Sequence, residues 1–170
     1  ISIAQLVPNT PAPIIAILSK QVIKINKKNI FNPAAFGLVL TVILFKASLS
    51  WWIDSLVWLT IIFGLFLTYK MKRFHLVFSF LILFDILMLA YSLIYNLGFG
   101  HLLLVNSLFM FFMLVEPVTS PIKKNSRIIF GVIASVTAFI LFHYLPVYDP
   151  FLFSLLIGNL FVPFLNKRGI

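Results

Sequence analysis

The sequence predicts an all-α fold: a polytopic integral membrane helix bundle of six to seven transmembrane helices, forming a single membrane domain over residues 1–170. Three observations predict it. Of the 170 residues 62% are hydrophobic and only 10% are charged, with a mean hydropathy of +1.11. Soluble domains carry roughly 25% charged residues, so these few charges cannot coat a globule of this size in water. Apolar runs near spanning length recur along the chain, and basic residues fall in every second connector.

Six runs read as spanning helices: Pro33–Ser48, Ile53–Tyr69, Leu76–Tyr95, Leu102–Val115, Ile128–Tyr144 and Phe151–Leu165. Helices are the default because lipid offers no partner for backbone polar groups. A seventh run, Ile3–Ser19, holds Pro8, Pro11 and Pro13, so its regular part is expected to start near Pro11. The connectors are short, which makes sequential helices antiparallel neighbours. Trp51 and Trp52 read as an aromatic belt at a membrane boundary.

Charge sets the expected orientation. Lys20, Lys24, Lys27 and Lys28 precede the Pro33 helix; Lys70, Lys72 and Arg73, then Lys123, Lys124 and Arg127, then Lys167 and Arg168 occupy alternate connectors. Of the 13 Lys and Arg residues only Lys46 falls on the other side. The positive-inside rule then puts the protein in the cell membrane with a cytoplasmic C-terminus. It also explains the net charge of +9 without nucleic acid, because the cations sit between apolar runs rather than on one amphipathic face. The first residue is Ile, and "ISIAQLVPNTPAPIIAILSK" lacks the charged start of a signal peptide, so further chain is expected before it.

Several chemistries are excluded. With no cysteine, the chain has no disulfide, thiolate metal site, iron–sulfur ligation or Cys nucleophile. His75, His101 and His143 form no pair at metal-ligand spacing, and no phosphate-binding Gly loop or nucleophile elbow occurs. No catalytic or metal-binding residues are assigned.

Three polar features stand out. Asp85 lies inside "LILFDILMLA", where a charge costs at least about 2.5 kcal/mol and commonly marks an ion pathway; a protonated, locally bonded structural Asp is the other reading. Glu116 opens "EPVTSP" at the end of an apolar run. An acid opposes the dipole at a helix C-terminus, which favours a specific role over a simple Pro-rich helix stop. Pro117 and Pro121 set turn points, with Thr119 and Ser120 between them as candidates to cap the next helix. In "KKNIFNPAAFGLVL", Asn32 suits an N-cap and Pro33 a first turn, while Ala34, Ala35 and Gly37 admit a close neighbour, either a second helix or a flat ligand.

Two stretches, "NIFNPAAFGLVL" and "FMFFMLVEPVTSPIKKNSRIIFGVI", resemble signature segments of the NqrB/RnfD family, the membrane subunits of the sodium-pumping NADH:quinone reductase and of Rnf electron-transport complexes. The second is the stronger, with Phe111 and Phe112, then Glu116-Pro117-Val118-Thr119-Ser120-Pro121, then Phe130-Gly131; Glu116 stands where the family usually has Asp. The resemblance runs from about Lys27 to the end of the chain. It implies a membrane subunit of a flavin-linked complex that couples redox chemistry to Na+ or H+ translocation, with lipid and other membrane and soluble subunits as partners. It also implies FMN, esterified in the family to a Thr in a Ser-Gly/Ala-Ala-Thr type motif. That motif is not found: "KASLSWWIDS" after Phe45 holds no Thr, and "ASVT" at Ala134–Thr137 lies within a later helix. The resemblance makes Asn32, Pro33, Glu116, Thr119 and Ser120 candidates to hold a flavin and Asp85 the candidate for ion passage. A flavin-less, transporter-like bundle and a scaffold that docks a soluble reductase are the alternatives.

Overall fold

A computed structural model describes residues 11–25, 28–46, 56–97, 107–144 and 149–167. The Trp51–Trp52 belt, His101 and the opening of the Ile3–Ser19 run lie outside the described residues, as do the first residues of the Ile53–Tyr69 and Leu102–Val115 runs.

Six α-helices form the described part: α1 (Pro11–Val22), α2 (Pro33–Phe45), α3 (Val57–Lys70), α4 (Phe74–Ile94), α5 (Lys124–Tyr144) and α6 (Pro150–Lys167). The helix α1 begins at Pro11, where a missing N–H costs nothing. Between α1 and α2 the chain makes a feature with no counterpart in the hydropathy pattern, a two-residue antiparallel pair of Lys24–Ile25 (β1) with Lys28–Asn29 (β2). Among the described residues three helices are long and apolar enough to cross a membrane: α4, α5 and α6. The helices α2 and α3 are apolar but shorter.

The run expected as Leu102–Val115 departs from a plain α-helix. Its described end is π-helical over Phe109–Met113, with Leu114 N–H donating to Phe109 O at 2.9 Å. This segment is wedged between two apolar clusters. Phe109 enters the main core, where its ring meets Phe151 at 5.3 Å and Phe80 at 5.6 Å. Phe111 joins Val77 and Val115 in a smaller cluster that takes in the α3 side chain Ile61.

Close approaches fix the helix order. A Cβ on Gly131 of α5 would collide with Ser79 Oγ and lie 2.9 Å from the Leu76 carbonyl of α4. Farther along, His143 of α5 stacks on Tyr91 of α4 at 3.7 Å. The two helices therefore run parallel and start at the same end. By contrast α6 returns antiparallel to α5, with Ser126 Oγ donating to Leu165 O at 3.1 Å near the start of one helix and the end of the other. Its own start is capped by Asp149, whose carboxylate accepts from the Phe151 and Leu152 N–H groups at 2.9 and 3.1 Å. Gly37 lets α2 press against Ala12 and Ala16 of α1.

The apolar faces of these helices look outward as well as inward. Trp58 is 79% exposed and Phe164 67%, the signature of a surface meant for lipid or for neighbouring helices. The fold is thus a membrane helix bundle.

Gly131→Val tests the α4–α5 contact. Forcing a branched side chain into the Ser79–Leu76 gap should lower stability by about 1–3 kcal/mol, read as an earlier unfolding transition in detergent micelles. Gly158→Ala, whose Cβ would sit 3.1 Å from the edge of the Phe130 ring, should cost distinctly less.

Candidate functional site

The segment from Leu114 to Lys123 leaves helical geometry because Pro117 disfavours the α conformation at Glu116 and Pro121 fixes a second bend. An irregular backbone packed among apolar helices must find hydrogen bonds away from water. Much of its bonding comes from side chains on the surrounding helices.

Glu116 organises the loop from within. Its Oε2 accepts from Thr119 Oγ1 at 2.8 Å, and its backbone carbonyl accepts from Ser120 Oγ at 2.6 Å. The Ser120 oxygen in turn accepts from the Arg73 guanidinium, which arrives from the α3–α4 turn. Arg127, on the first turn of α5, donates through Nε to Pro121 O at 3.1 Å and through Nη1 to Lys72 O at 3.0 Å. The two arginines so clamp the loop against the start of α4. On the other side Asn166 Oδ1 accepts from Ile122 N–H at 3.1 Å.

Two asparagines complete the knot. Asn32 caps α2, its Oδ1 accepting from Ala35 N–H at 3.0 Å, while its Nδ2 donates to Met113 O at 3.3 Å. Its own backbone N–H donates to Asn159 Oδ1 at 3.1 Å. Asn159 then donates through Nδ2 to Thr119 O at 2.8 Å. One fully buried amide in α6 therefore joins the head of α2 to the Glu116–Pro121 loop. It lies about 12 Å along α6 from Lys167, at ~1.5 Å of rise per residue, so the knot reaches well into the bundle.

Burial sets the electrostatics. The Glu116 carboxyl is held above the usual carboxylate range by desolvation, which outweighs the Thr119 hydrogen bond and the Lys20 charge that pull it down. Arg73 is 5% exposed; burial first and the nearby Arg127 charge second lower its pKa to about 10. It remains a cation at neutral pH.

The structure brings Asn32, Pro33, Glu116, Thr119 and Ser120 to one end of the bundle. It does not bring Asp85 there. Asp85 sits half-buried midway along α4, about 18 Å from Arg73 along the helix axis, with one carboxylate oxygen shut off from the surface. Thr119 and Ser120 do not cap α5, and Glu116 accepts from a hydroxyl rather than from backbone N–H groups. The cause is proximity: Thr119 lies three residues on, within reach of a buried carboxylate that needs a donor. Sequence pattern alone does not single out Arg73, Arg127 or Asn159. Asn159 had a signal, an amide next to Gly158 inside "LLIGNLFV", which is costly in an apolar run unless bonded.

Both candidate hydroxyls and the Asn32 amide are thus committed within the protein, and Thr119 and Ser120 are 1% and 3% exposed. What the loop offers outward is apolar: Pro117, Val118 and Ile122 are exposed, beside Lys123. Among the described residues no group of three or more His, Asp or Glu side chains gathers to hold a metal.

Comparison with known families adds the context for this site. The model of the NQR2, RnfD, RnfE family matches residues 53–168, more than half of the chain, and the chain belongs to that family. The match contains Arg73, Asp85, the Glu116–Pro121 loop and Asn159; the Asn29–Leu40 stretch lies before it. No curated protein matches the chain.

Asn159→Leu keeps the number and branching of the side-chain heavy atoms and leaves Asn32 N–H and Thr119 O without their partner. At about 1–3 kcal/mol for each orphaned group, it should lower the unfolding midpoint strongly. Glu116→Gln should keep an acceptor for Thr119 and leave the fold intact. It should also flatten the pH dependence. A folded-state pKa raised above the unfolded value, ~4.3 for Glu, makes the native state bind more protons, so stability falls as pH rises through that window. Unfolding midpoints against pH should slope downward there for the natural chain and be flatter for the variant.

Proposed function

We propose that this member of the NQR2, RnfD, RnfE family is a membrane subunit of a flavin-linked, Rnf/Nqr-type electron-transport complex that couples redox chemistry to Na+ or H+ movement. Family membership points to such complexes. The observation that carries the finer reading is the polar knot itself. A chain with so few polar groups concentrates them at one end, where they hold a single loop rigid and turn its Pro117–Val118 tip outward.

In this reading the chain's own residues position rather than react. Arg73, Arg127, Asn32 and Asn159 fix the loop, and Glu116 fixes Thr119 and Ser120 inside it. The outward tip and the flanking Lys123 and Lys124 form a firm seat for a redox partner subunit. A preordered seat loses less entropy on docking. FMN, when bound in the complex, supplies one- and two-electron chemistry; the committed hydroxyls support a flavin not esterified to Thr119 or Ser120. Asp85, the one acid midway along a long apolar helix, is the residue assigned to ion passage. The basic end faces the cytoplasm by the positive-inside rule, which gives a cytoplasmic C-terminus.

A second reading rests on the same committed hydroxyls: a bundle that moves ions or docks a reductase without holding flavin. The absorbance spectrum of the complex purified with its partners, before and after acid denaturation, separates the two. The proposal expects flavin in the complex, with the separated, denatured chain colourless. Yellow colour retained on the denatured chain would overturn non-covalent binding, and a complex without flavin would favour the second reading. Asp85→Asn should reduce redox-driven ion uptake in vesicles several-fold with little change in the unfolding midpoint.

A further inference from the structure

The parallel packing of α4 and α5 leaves an open groove of about 560 Å³ between them. Phe78, Ile82 and Ile86 of α4 form one wall, and Ile128 and Val132 of α5 the other. All five are exposed. Ser79 lies on the floor, where the absence of a side chain at Gly131 lets the helices meet. From His75 to Ile86 the groove runs about 17 Å, close to the depth of one leaflet of a ~30 Å hydrocarbon core.

One end of this groove differs from the rest. His75 lines it and is exposed. Arg127 directly precedes the lining residue Ile128 and is tied to the Lys72 carbonyl. Lys124 lies one turn before Ile128, on the same face of α5, and is exposed. Both helices begin here, so two helix N-termini add partial positive charge at the same point. A single site thus joins a cationic mouth to an apolar channel one leaflet deep. A ligand that matches both halves carries a negative head on a long hydrocarbon tail.

We propose that the α4–α5 groove binds an anionic phospholipid, with one acyl chain lying along Phe78, Ile82 and Ile86 and its phosphate held at the mouth by His75, Lys124 and Arg127. Charge complementarity selects this occupant over a zwitterionic lipid, whose choline would meet the same cations. It also selects it over a hydrophobic helix from another subunit, which would leave the mouth without a counter-charge. No residue of the Glu116–Pro121 loop lines the groove, although two residues of its mouth serve both places: Lys124 flanks the proposed partner seat and Arg127 holds the loop. Arg127 links the groove mechanically to that loop through Pro121 O, and to the α3–α4 turn through Lys72 O.

The test places a reporter in the groove. Trp51, Trp52 and Trp58 are replaced by Phe, and Phe78→Trp gives a single fluorophore. The full chain is reconstituted in phosphatidylcholine vesicles containing lipids with brominated acyl chains, which quench on contact. Brominated phosphatidylglycerol should quench with a relative binding constant about fivefold above brominated phosphatidylcholine, the selectivity of roughly one surface cation. Lys124→Gln with His75→Gln should bring the ratio toward one, while Val132→Phe should reduce quenching by both lipids. Equal quenching by the two lipids would overturn the anionic assignment. A preference that survives the charge substitutions would overturn the mouth. A Trp that no lipid quenches would overturn the lipid site and mean that protein covers the groove. If the Trp variant does not fold, native mass spectrometry of the unaltered chain decides. A retained one-to-one phosphatidylglycerol adduct, weakened by Lys124→Gln, supports the site; equal loss of both lipids overturns it.

Discussion

The whole arrangement depends on one constraint: backbone that is neither helix nor strand is packed inside an apolar bundle, and its hydrogen bonds must be made by side chains. Asn159 satisfies the constraint at its most demanding point. One carboxamide offers an acceptor to the head of α2 and a donor to the loop at Thr119. An amide suits this place because it both donates and accepts without a charge. A carboxylate would accept only and bring a desolvation cost; a hydroxyl could not span both partners. Arg127 acts at the rim of the same knot, where water still reaches it and the cost of a cation is smaller, while Arg73 is buried against Ser120.

The knot explains features that look unrelated along the chain. The π-helical turn at Phe109–Met113 presents Phe109 to the main core and Phe111 to Gly64 of α3. It ends at the Met113 carbonyl that Asn32 needs. Pro117 and Pro121 prevent the loop from winding on into α5, so its tip stays outward. Glu116, elevated in pKa by burial, is tolerated because Thr119 offers its carboxyl a hydroxyl partner in either protonation state. For a membrane subunit that works among partners, the result is a stiff polar end on a body whose remaining surface is left to lipid and neighbouring helices.

Much of the fold was legible in the sequence because hydrophobic length and charge alternation are one-dimensional signals. Pro11 and Pro33 each open a helix, and the basic connectors meet in space through Arg73, Arg127 and Lys72. The meeting of the Asn32 and Glu116 segments followed from that same alternation. What the sequence hid were interactions that depend on depth and rotation. Nothing one-dimensional separates a loop whose hydroxyls face a ligand from one whose hydroxyls face its own carboxylate. Nor does it show that an asparagine in the final helix reaches segments 40 and 127 residues away. The π-helical turn and the short β1–β2 pair were equally silent, since both are set by packing and local closure rather than by periodicity.

The most direct test of the Asn159-centred knot uses the absence of native cysteine. Single-cysteine variants Val118→Cys and Thr119→Cys are exposed to a membrane-impermeant thiol reagent on the side of the basic end, with and without Asn159→Ala. A loop held by Asn159 should label rapidly at 118 in both backgrounds, be protected at 119 in the natural background, and lose that protection when Asn159 is removed. Equal labelling of the two positions in the natural background, or protection at 119 that persists without Asn159, would contradict it.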